Sequence, residues 1–123
     1  MVTAPAIARL EQKAAIETIE SAREAFGLNY VELARALGVD RRTVLRYRKR
    51  TVVPSRRAQA RMEKLRDTHH LLELIFGDRD SQLGWLYGSV PLVRGQRPID
   101  LMRKGELDEV LAVLTSLYSV AQV

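Results

Sequence analysis

A run of basic side chains between Val31 and Arg50 is the strongest chemical signal in the sequence. Seven of these twenty residues are arginine or lysine, and six of them fall in the second half, RRTVLRYRKR. Ammonium and guanidinium groups bind phosphates, and arginine also forms paired hydrogen bonds with the edge of a guanine base. A solvated helix face can have the same composition, so charge alone leaves nucleic-acid binding and simple solvation equally open.

Positive charge is concentrated in the central third of the chain. Residues 30–66 contain twelve basic and three acidic side chains, a balance of +9. Residues 1–29 contain three basic and four acidic side chains, and residues 67–123 contain five basic and eight acidic side chains. A localised excess of this kind is typical of a surface that binds a polyanion.

The small and apolar residues around this run fit a helix-turn-helix scaffold. Ala34 allows two helices to cross closely, and Gly38 gives the turn its backbone freedom. Apolar residues stand where buried anchors are needed: Leu33, Leu37, Val39, Val44 and Tyr47. The side chains left facing outward on the second helix are predicted to contact DNA: Arg41, Arg42, Thr43, Arg46 and Lys49.

The segment ELARALGVDRRTVLRY resembles the helix-turn-helix of Xre (Cro/repressor-like) regulators. This resemblance implies a DNA reader, and such motifs usually bind a pseudo-palindromic site as dimers. Three further arginines, Arg56, Arg57 and Arg61, fit either auxiliary phosphate contacts or an ordinary solvated helix face.

Helical periodicity predicts an all-α chain, with an N-terminal helix-turn-helix bundle followed by a small helical C-terminal domain. The predicted helices cover about 7–26, 30–37, 41–49, 55–76 and 106–118, with one or two turns within RPIDLMRKG. Their expected end signals are the caps Asn29, Asp40 and Ser55, the first-turn residue Pro98, and the terminating glycines Gly27, Gly38 and Gly105. Residues 1–12 have little apolar mass and are expected to be a flexible N-terminus.

No pattern of side chains indicates catalysis, a cofactor or a metal site. The chain has no cysteine, and the adjacent His69 and His70 would point about 100° apart on a helix. His69 falls on the apolar stripe of its helix and is expected to be packed, while Asp78 and Asp80 suit a turn. No apolar run approaches the length of a membrane span, and no signal-peptide pattern opens the chain, so we expect a cytoplasmic protein with no membrane contact.

The segment GWLYGSVPLVRGQRPIDLMRKGELDEVLAVLTSLY resembles the C-terminal toxin-binding domain of Xre/MbcA/ParS-type antitoxins. The positions that match this pattern are Trp85, Pro98, Asp100, Leu101, Gly105, Glu106, Val110 and Leu114. The two resemblances together divide the chain into a helix-turn-helix region at 13–54, a long connecting helix at 55–77 and a toxin-binding domain at 78–123.

The resemblance implies an antitoxin of a RES-Xre type II toxin–antitoxin system that represses its own operon. Its partner would be a RES-domain toxin, which consumes NAD or transfers ADP-ribose from it, and the C-terminal region would cover or enter the active-site cleft of that toxin. The residues expected to bind the toxin are Trp85, Tyr87, Arg97, Asp100, Tyr118, Val120 and Val123. The SVAQV tail fits either an active-site plug or a frayed end.

Two questions of assembly stay open at the level of sequence. A stand-alone Xre-like transcriptional regulator, whose C-terminal domain only mediates oligomerisation, is the alternative to an antitoxin. In either case we expect a homodimer or, with toxin, a higher hetero-oligomer, formed through the long helix or the C-terminal domain. The stripe Met62, Leu65 and Leu72 on the long helix fits either such an interface or a core.

Overall fold

A computed structural model describes residues 1–89 and 93–122, and within these residues the protein is all-α, as predicted. In chain order the helices are α1 (Ala4–Phe26), α2 (Tyr30–Leu37), α3 (Arg41–Arg48), α4 (Arg56–Phe76), α5 (Arg79–Tyr87), α6 (Pro98–Arg103) and α7 (Leu107–Ala121). None of the described helices is both long and apolar enough to cross a membrane.

The predicted caps set the boundaries of the helices around the turn. The side chain of Asn29 accepts a hydrogen bond from the Glu32 amide at 2.8 Å, and the Glu32 carboxylate accepts one from the Asn29 amide at 2.9 Å. This reciprocal pair is the predicted capping box and satisfies two amides that α2 leaves unpaired. Asp40 and Ser55 cap α3 and α4 without the reciprocal bond, since each side chain only accepts a hydrogen bond, from the amides of Thr43 and Ala58 respectively.

Both ends of the chain are more helical than their composition predicts. The α1 helix begins at Ala4 because the Thr3 hydroxyl accepts from the Ala6 amide and Pro5 suits the first turn. Residues 4–12, expected to be a flexible extension, are therefore helical, although none of them is buried. At the other end α7 continues to Ala121, past the predicted end at residue 118, because no glycine or proline interrupts it.

One hydrophobic core joins the helix-turn-helix region to the C-terminal region. The α4 helix packs against both α1 and α7, and its residues Met62, Leu65 and Leu72 are at most 2% exposed. This stripe is therefore core, and it is not free to form an interface with a second copy. His69 is partly buried with its ring edge-on to Phe26 at 5.8 Å, which confirms the predicted packing role.

The loop after α6 lies directly against α2. Gly105 has a left-handed backbone (φ +83°), and a Cβ atom there would lie 2.5 Å from the carbonyl oxygen of Arg35. The guanidinium of Arg35 donates to the carbonyl of Arg103 at 3.4 Å, and Arg103 Nε lies 3.1 Å from the Glu32 carboxylate. The C-terminal region is thus fixed onto the first helix of the helix-turn-helix, including its capping-box residue Glu32.

Candidate DNA-binding and partner-binding surfaces

The α3 helix has one buried face and one basic face. Val44 and Tyr47 are at most 3% exposed and form the buried face. Arg42, Arg46 and Lys49 follow one another at spacings of four and three, so they share the opposite face, and all three are exposed. This arrangement presents three cations together on α3 and its C-terminal cap residue Lys49, on the helix that is predicted to enter the major groove.

The other two predicted DNA contacts flank this face. Arg41 is exposed in the first turn of α3, whereas Thr43 is only partly exposed and its amide donates to the Asp40 carboxylate at 2.8 Å. Both residues lie at the N-terminal end of the helix, which is the end that contacts base edges in helix-turn-helix proteins.

The predicted scaffold beneath these residues is present. Four of the five expected anchors are buried, and the fifth, Val39, packs partly buried against the same core. Ala34 is 4% exposed, and Gly38 adopts the left-handed conformation (φ +69°) that the tight turn requires. The turn therefore joins α2 and α3, and the anchors of both helices pack into the same core.

Two basic residues near this surface have structural roles instead. Arg48 Nε lies 2.7 Å from the Glu20 carboxylate, and its guanidinium stacks over the ring of Tyr30 at 4.9 Å, so it ties α3 to α1 and α2. Arg61 donates to the carbonyl of Ala36 at 3.3 Å and so satisfies a carbonyl at the end of α2. Of the three arginines of α4 considered above, only Arg56 and Arg57 remain exposed.

Asp40, which caps α3, has a carboxyl pKa below its ordinary value. Hydrogen bonds from the side chain and backbone of Thr43 are the main cause, and the positive charges of Arg46 and Arg42 add to them. The ionised form is therefore favoured in the folded state. Asp78, which caps α5, has a lowered pKa for the same reason, with Ser81 as the donor.

We expect Asp40→Asn to remove one pH-sensitive contribution to stability without removing the cap. A carboxyl whose pKa is lower in the folded state stabilises the fold above its unfolded pKa, near 4, and loses that effect as pH falls through its folded pKa. Asparagine caps as well as aspartate but does not titrate there. As the pH is lowered from 6 to 2, the thermal unfolding midpoint of wild type should therefore fall more than that of the variant. A difference that stays constant over this range would contradict the assignment.

The last helix presents an apolar face that no described residue covers. Leu107, Val110 and Leu114 form its buried face, each at most 2% exposed. A second face carries a shallow depression of about 350 Å³ lined by Ala112, Val113, Ser116, Leu117 and Val120. Val120 is 73% exposed and Leu117 is 38% exposed, which is high for large apolar side chains on a well-formed helix.

The predicted toxin-binding residues fall into separate groups. Tyr87 and Asp100 come together around Arg103, whose guanidinium lies 5.5 Å from the centre of the Tyr87 ring and 3.7 Å from the Asp100 carboxylate. Tyr118 is partly exposed and Val120 is exposed, both on α7. Val123 lies outside the described residues. The sequence did not single out Arg103, because two of its partners, Tyr87 and Glu32, are distant in the chain.

Two of these residues have structural contacts of their own. The hydroxyl of Tyr87 donates to the carbonyl of Phe26 at 2.7 Å and so links α5 to the end of α1. Trp85 is partly buried with its ring 5.9 Å from that of Phe76, and its buried Nε1 meets no acceptor among the described residues. Both side chains are partly exposed, whereas Leu86 between them is fully buried.

Arg97 and Asp100 form a paired ion bridge at the start of α6. Arg97 Nε and Nη2 lie 2.8 Å and 3.0 Å from the two carboxylate oxygens of Asp100. These hydrogen bonds, followed by the charge of the guanidinium, lower the pKa of Asp100, and they raise the pKa of Arg97. The pair is half-exposed, so it stabilises the first turn of α6 and also presents a polar surface.

Comparison with known proteins identifies relatives of one kind. The chain is 30% identical to the mycobacterial cidal antitoxin MbcA of Mycobacterium bovis and to that of Mycobacterium tuberculosis, over 81% of this chain and 88% of theirs. It is also 30% identical to a probable mycobacterial cidal antitoxin of M. tuberculosis, over 93% of this chain and 96% of that protein. No family model matches the sequence.

A solved structure extends the likeness to three dimensions. A chain in the crystal structure of the M. tuberculosis MbcT–MbcA toxin–antitoxin complex superposes with a TM-score of 0.55 at 29% identity. The match covers 85% of this chain and 93% of that one, so it includes both the helix-turn-helix and the C-terminal region.

Proposed function

Because the chain belongs to the MbcA-type antitoxins, we propose that it neutralises a cognate RES-domain toxin by direct contact and represses its own operon by binding DNA. The toxin would be an enzyme that consumes NAD or transfers ADP-ribose from it. The observation that carries the proposal is the coexistence, on one hydrophobic core, of a basic face on α3 and an apolar face on α7 that no described residue covers.

The α7 face is the best-supported contact surface for the toxin. Exposed apolar side chains gathered on one helix face are a common mark of protein interfaces, and here they cluster around Leu117 and Val120. The C-terminal third also has a charge balance of −3, from five basic and eight acidic residues. Such a surface is electrostatically suited to a basic cleft that binds NAD.

The helical ending supports a defined role for the last residues. Since α7 continues to Ala121, Val120 lies on a helix and not in a frayed tail. A helix end ordered in advance loses less conformational entropy on binding than a flexible tail does. We therefore propose that the end of α7 itself approaches the active-site cleft of the toxin.

The proposal for DNA binding is supported by the exposed face of α3. Arg42 and Arg46 are suited to guanine edges, and Lys49 is suited to a phosphate. A pseudo-palindromic operator would require two copies of the chain. Because the apolar stripe of α4 is buried in the core, a homodimer would have to use other surfaces.

Co-expression with the adjacent open reading frame tests the antitoxin proposal. We expect the neighbour to arrest growth when expressed alone, and this chain to restore growth and to co-purify with the neighbour. Loss of NAD in the arrested cells would assign the toxin's chemistry. If the chain neither restores growth nor co-purifies, the antitoxin proposal fails and a stand-alone regulator becomes the better explanation.

A further inference from the structure

The turn that ends α3 contains an arginine in a left-handed backbone conformation. Arg50 has φ +58°, a region that residues with a Cβ atom adopt at a cost. The helices α1 and α2 end in the same conformation, but they use glycine, with Gly27 at φ +72° and Gly38 at φ +69°. The chain thus uses glycine for this turn elsewhere and arginine next to the basic face.

The backbone of this turn does not require an arginine. The Arg50 amide donates to the carbonyl of Tyr47 at 3.2 Å, and the Thr51 amide donates to the carbonyl of Arg46 at 3.1 Å. These are the two hydrogen bonds of a Schellman motif, whose left-handed position is usually glycine. Glycine would form both bonds with less strain, so the reason for arginine lies in its side chain.

The side chain of Arg50 is exposed and forms no ion pair or hydrogen bond with any described residue. Its neighbour Arg48 differs in this respect, because Arg48 is paired with Glu20. The turn itself is held in place, since the side-chain amide of Gln12 in α1 donates to the carbonyl of Arg50 at 3.2 Å. The guanidinium of Arg50 therefore lies exposed at the C-terminal end of α3, on a left-handed turn that a hydrogen bond from Gln12 holds in place.

We propose that Arg50, on a turn held by the hydrogen bond from Gln12, is a DNA phosphate contact. This inference rests on the proposed DNA binding and adds a residue to it. The N-terminal residues of a recognition helix contact base edges, while the C-terminal end of such a helix can lie against the backbone. A contact to phosphate contributes affinity without sequence preference, and it adds to the salt dependence of binding.

The test compares wild type with Arg50→Gly, Arg50→Lys and Arg94→Gly in the full chain. Arg94 serves as a control for charge and backbone because it is also left-handed (φ +49°), and the same substitution changes net charge equally but in the C-terminal region, where it also removes an ion pair with Glu109. Affinity would be measured by fluorescence anisotropy over a salt series. The probes are a duplex from the region upstream of the chain's own gene and a random duplex of equal length. Thermal unfolding of each variant would be measured in parallel.

We expect Arg50→Gly to weaken binding to both duplexes about tenfold, the scale of one charged hydrogen bond. The slope of log affinity against log salt should become shallower by about 0.9, which corresponds to one phosphate contact. The thermal midpoint should not fall, since glycine relieves the left-handed strain. Arg50→Lys should stay within a few-fold of wild type, and Arg94→Gly should keep the wild-type slope.

Three outcomes would overturn the inference. If wild type binds and Arg50→Gly has the same affinity and slope, Arg50 does not contact DNA, while the proposed function is unaffected. If Arg50→Gly lowers the thermal midpoint and Arg50→Lys binds DNA as weakly as Arg50→Gly does, the loss of binding comes from a disturbed fold and not from a lost phosphate contact. If wild type binds neither duplex, the proposed DNA binding fails together with this inference.

Discussion

Replacing Arg42 and Arg46 together by alanine is expected to abolish sequence-specific DNA binding while leaving the fold intact. Both side chains are exposed on the face of α3 opposite Val44 and Tyr47, and neither forms an ion pair with another described residue. Each bidentate contact to a base contributes about 1–3 kcal/mol of discrimination. Losing two should lower the ratio of specific to random-duplex affinity by a factor of at least about 30.

The matched control for this experiment is Arg48→Ala in the same helix. Arg48 is bound to Glu20 and stacked on Tyr30, so its loss should lower the thermal midpoint and leave the specificity ratio near that of wild type. The double variant should keep its thermal midpoint and its ability to neutralise the toxin, because its substitutions lie away from α7. Wild-type discrimination between duplexes in the double variant would show that α3 does not read the groove.

The features that the sequence predicts well are those decided by neighbours in the chain. The capping box at Asn29 and Glu32, the cap at Asp40 and the turn at Gly38 each involve residues within about four positions of one another. Their geometry follows from local hydrogen bonding and backbone sterics, which a single sequence expresses directly. The helix-turn-helix scaffold was predictable for this reason.

The roles of individual charged side chains were less predictable, because their partners lie far along the chain. Arg48 contacts Glu20, and Arg61 contacts the carbonyl of Ala36. Tyr87 reaches the carbonyl of Phe26 across 61 positions. Periodicity assigns a side chain to a face of a helix but does not say which element covers that face. A basic run can therefore contain both DNA contacts and structural ion pairs, and only the fold separates them.

The last helix illustrates the same limit for apolar residues. Its stripe predicts Leu107, Val110, Leu111, Leu114 and Leu117 on one face, and most of these pack into the core. Leu117 is 38% exposed, because the stripe is wider than the contact that α4 provides. Leu117, together with Val113 and Val120, lies on the face that we propose for the toxin and that no described part of the chain covers. The predicted contact residue Val120 belongs to this face, whereas Arg97 and Asp100 pair with each other at the start of α6.

Val120→Asp is expected to weaken toxin neutralisation strongly while sparing DNA binding and stability. Val120 is 73% exposed, so a carboxylate there is solvated in the free chain and should cost the fold little. In the proposed complex the same position would be buried against the toxin. The variant would lose the burial of an apolar side chain, about 1.5–3 kcal/mol, and would also have to desolvate a charge. We expect at least about a hundredfold loss of affinity for the toxin, measured by titration calorimetry.

Ala121→Asp and a truncation after Tyr118 distinguish a specific contact from a general effect of charge. Ala121 is also exposed, and it lies one position from Val120, about 100° around the helix. The substitution Ala121→Asp therefore introduces the same charge on a different face. If Val120 lies in the interface, Ala121→Asp should retain most of the toxin affinity and the truncation should lose at least as much as Val120→Asp. Equal losses from both aspartates would indicate electrostatic repulsion without a local contact. Undiminished neutralisation by the truncated chain would remove the end of α7 from the mechanism, since a helix end that is dispensable cannot be what covers the cleft.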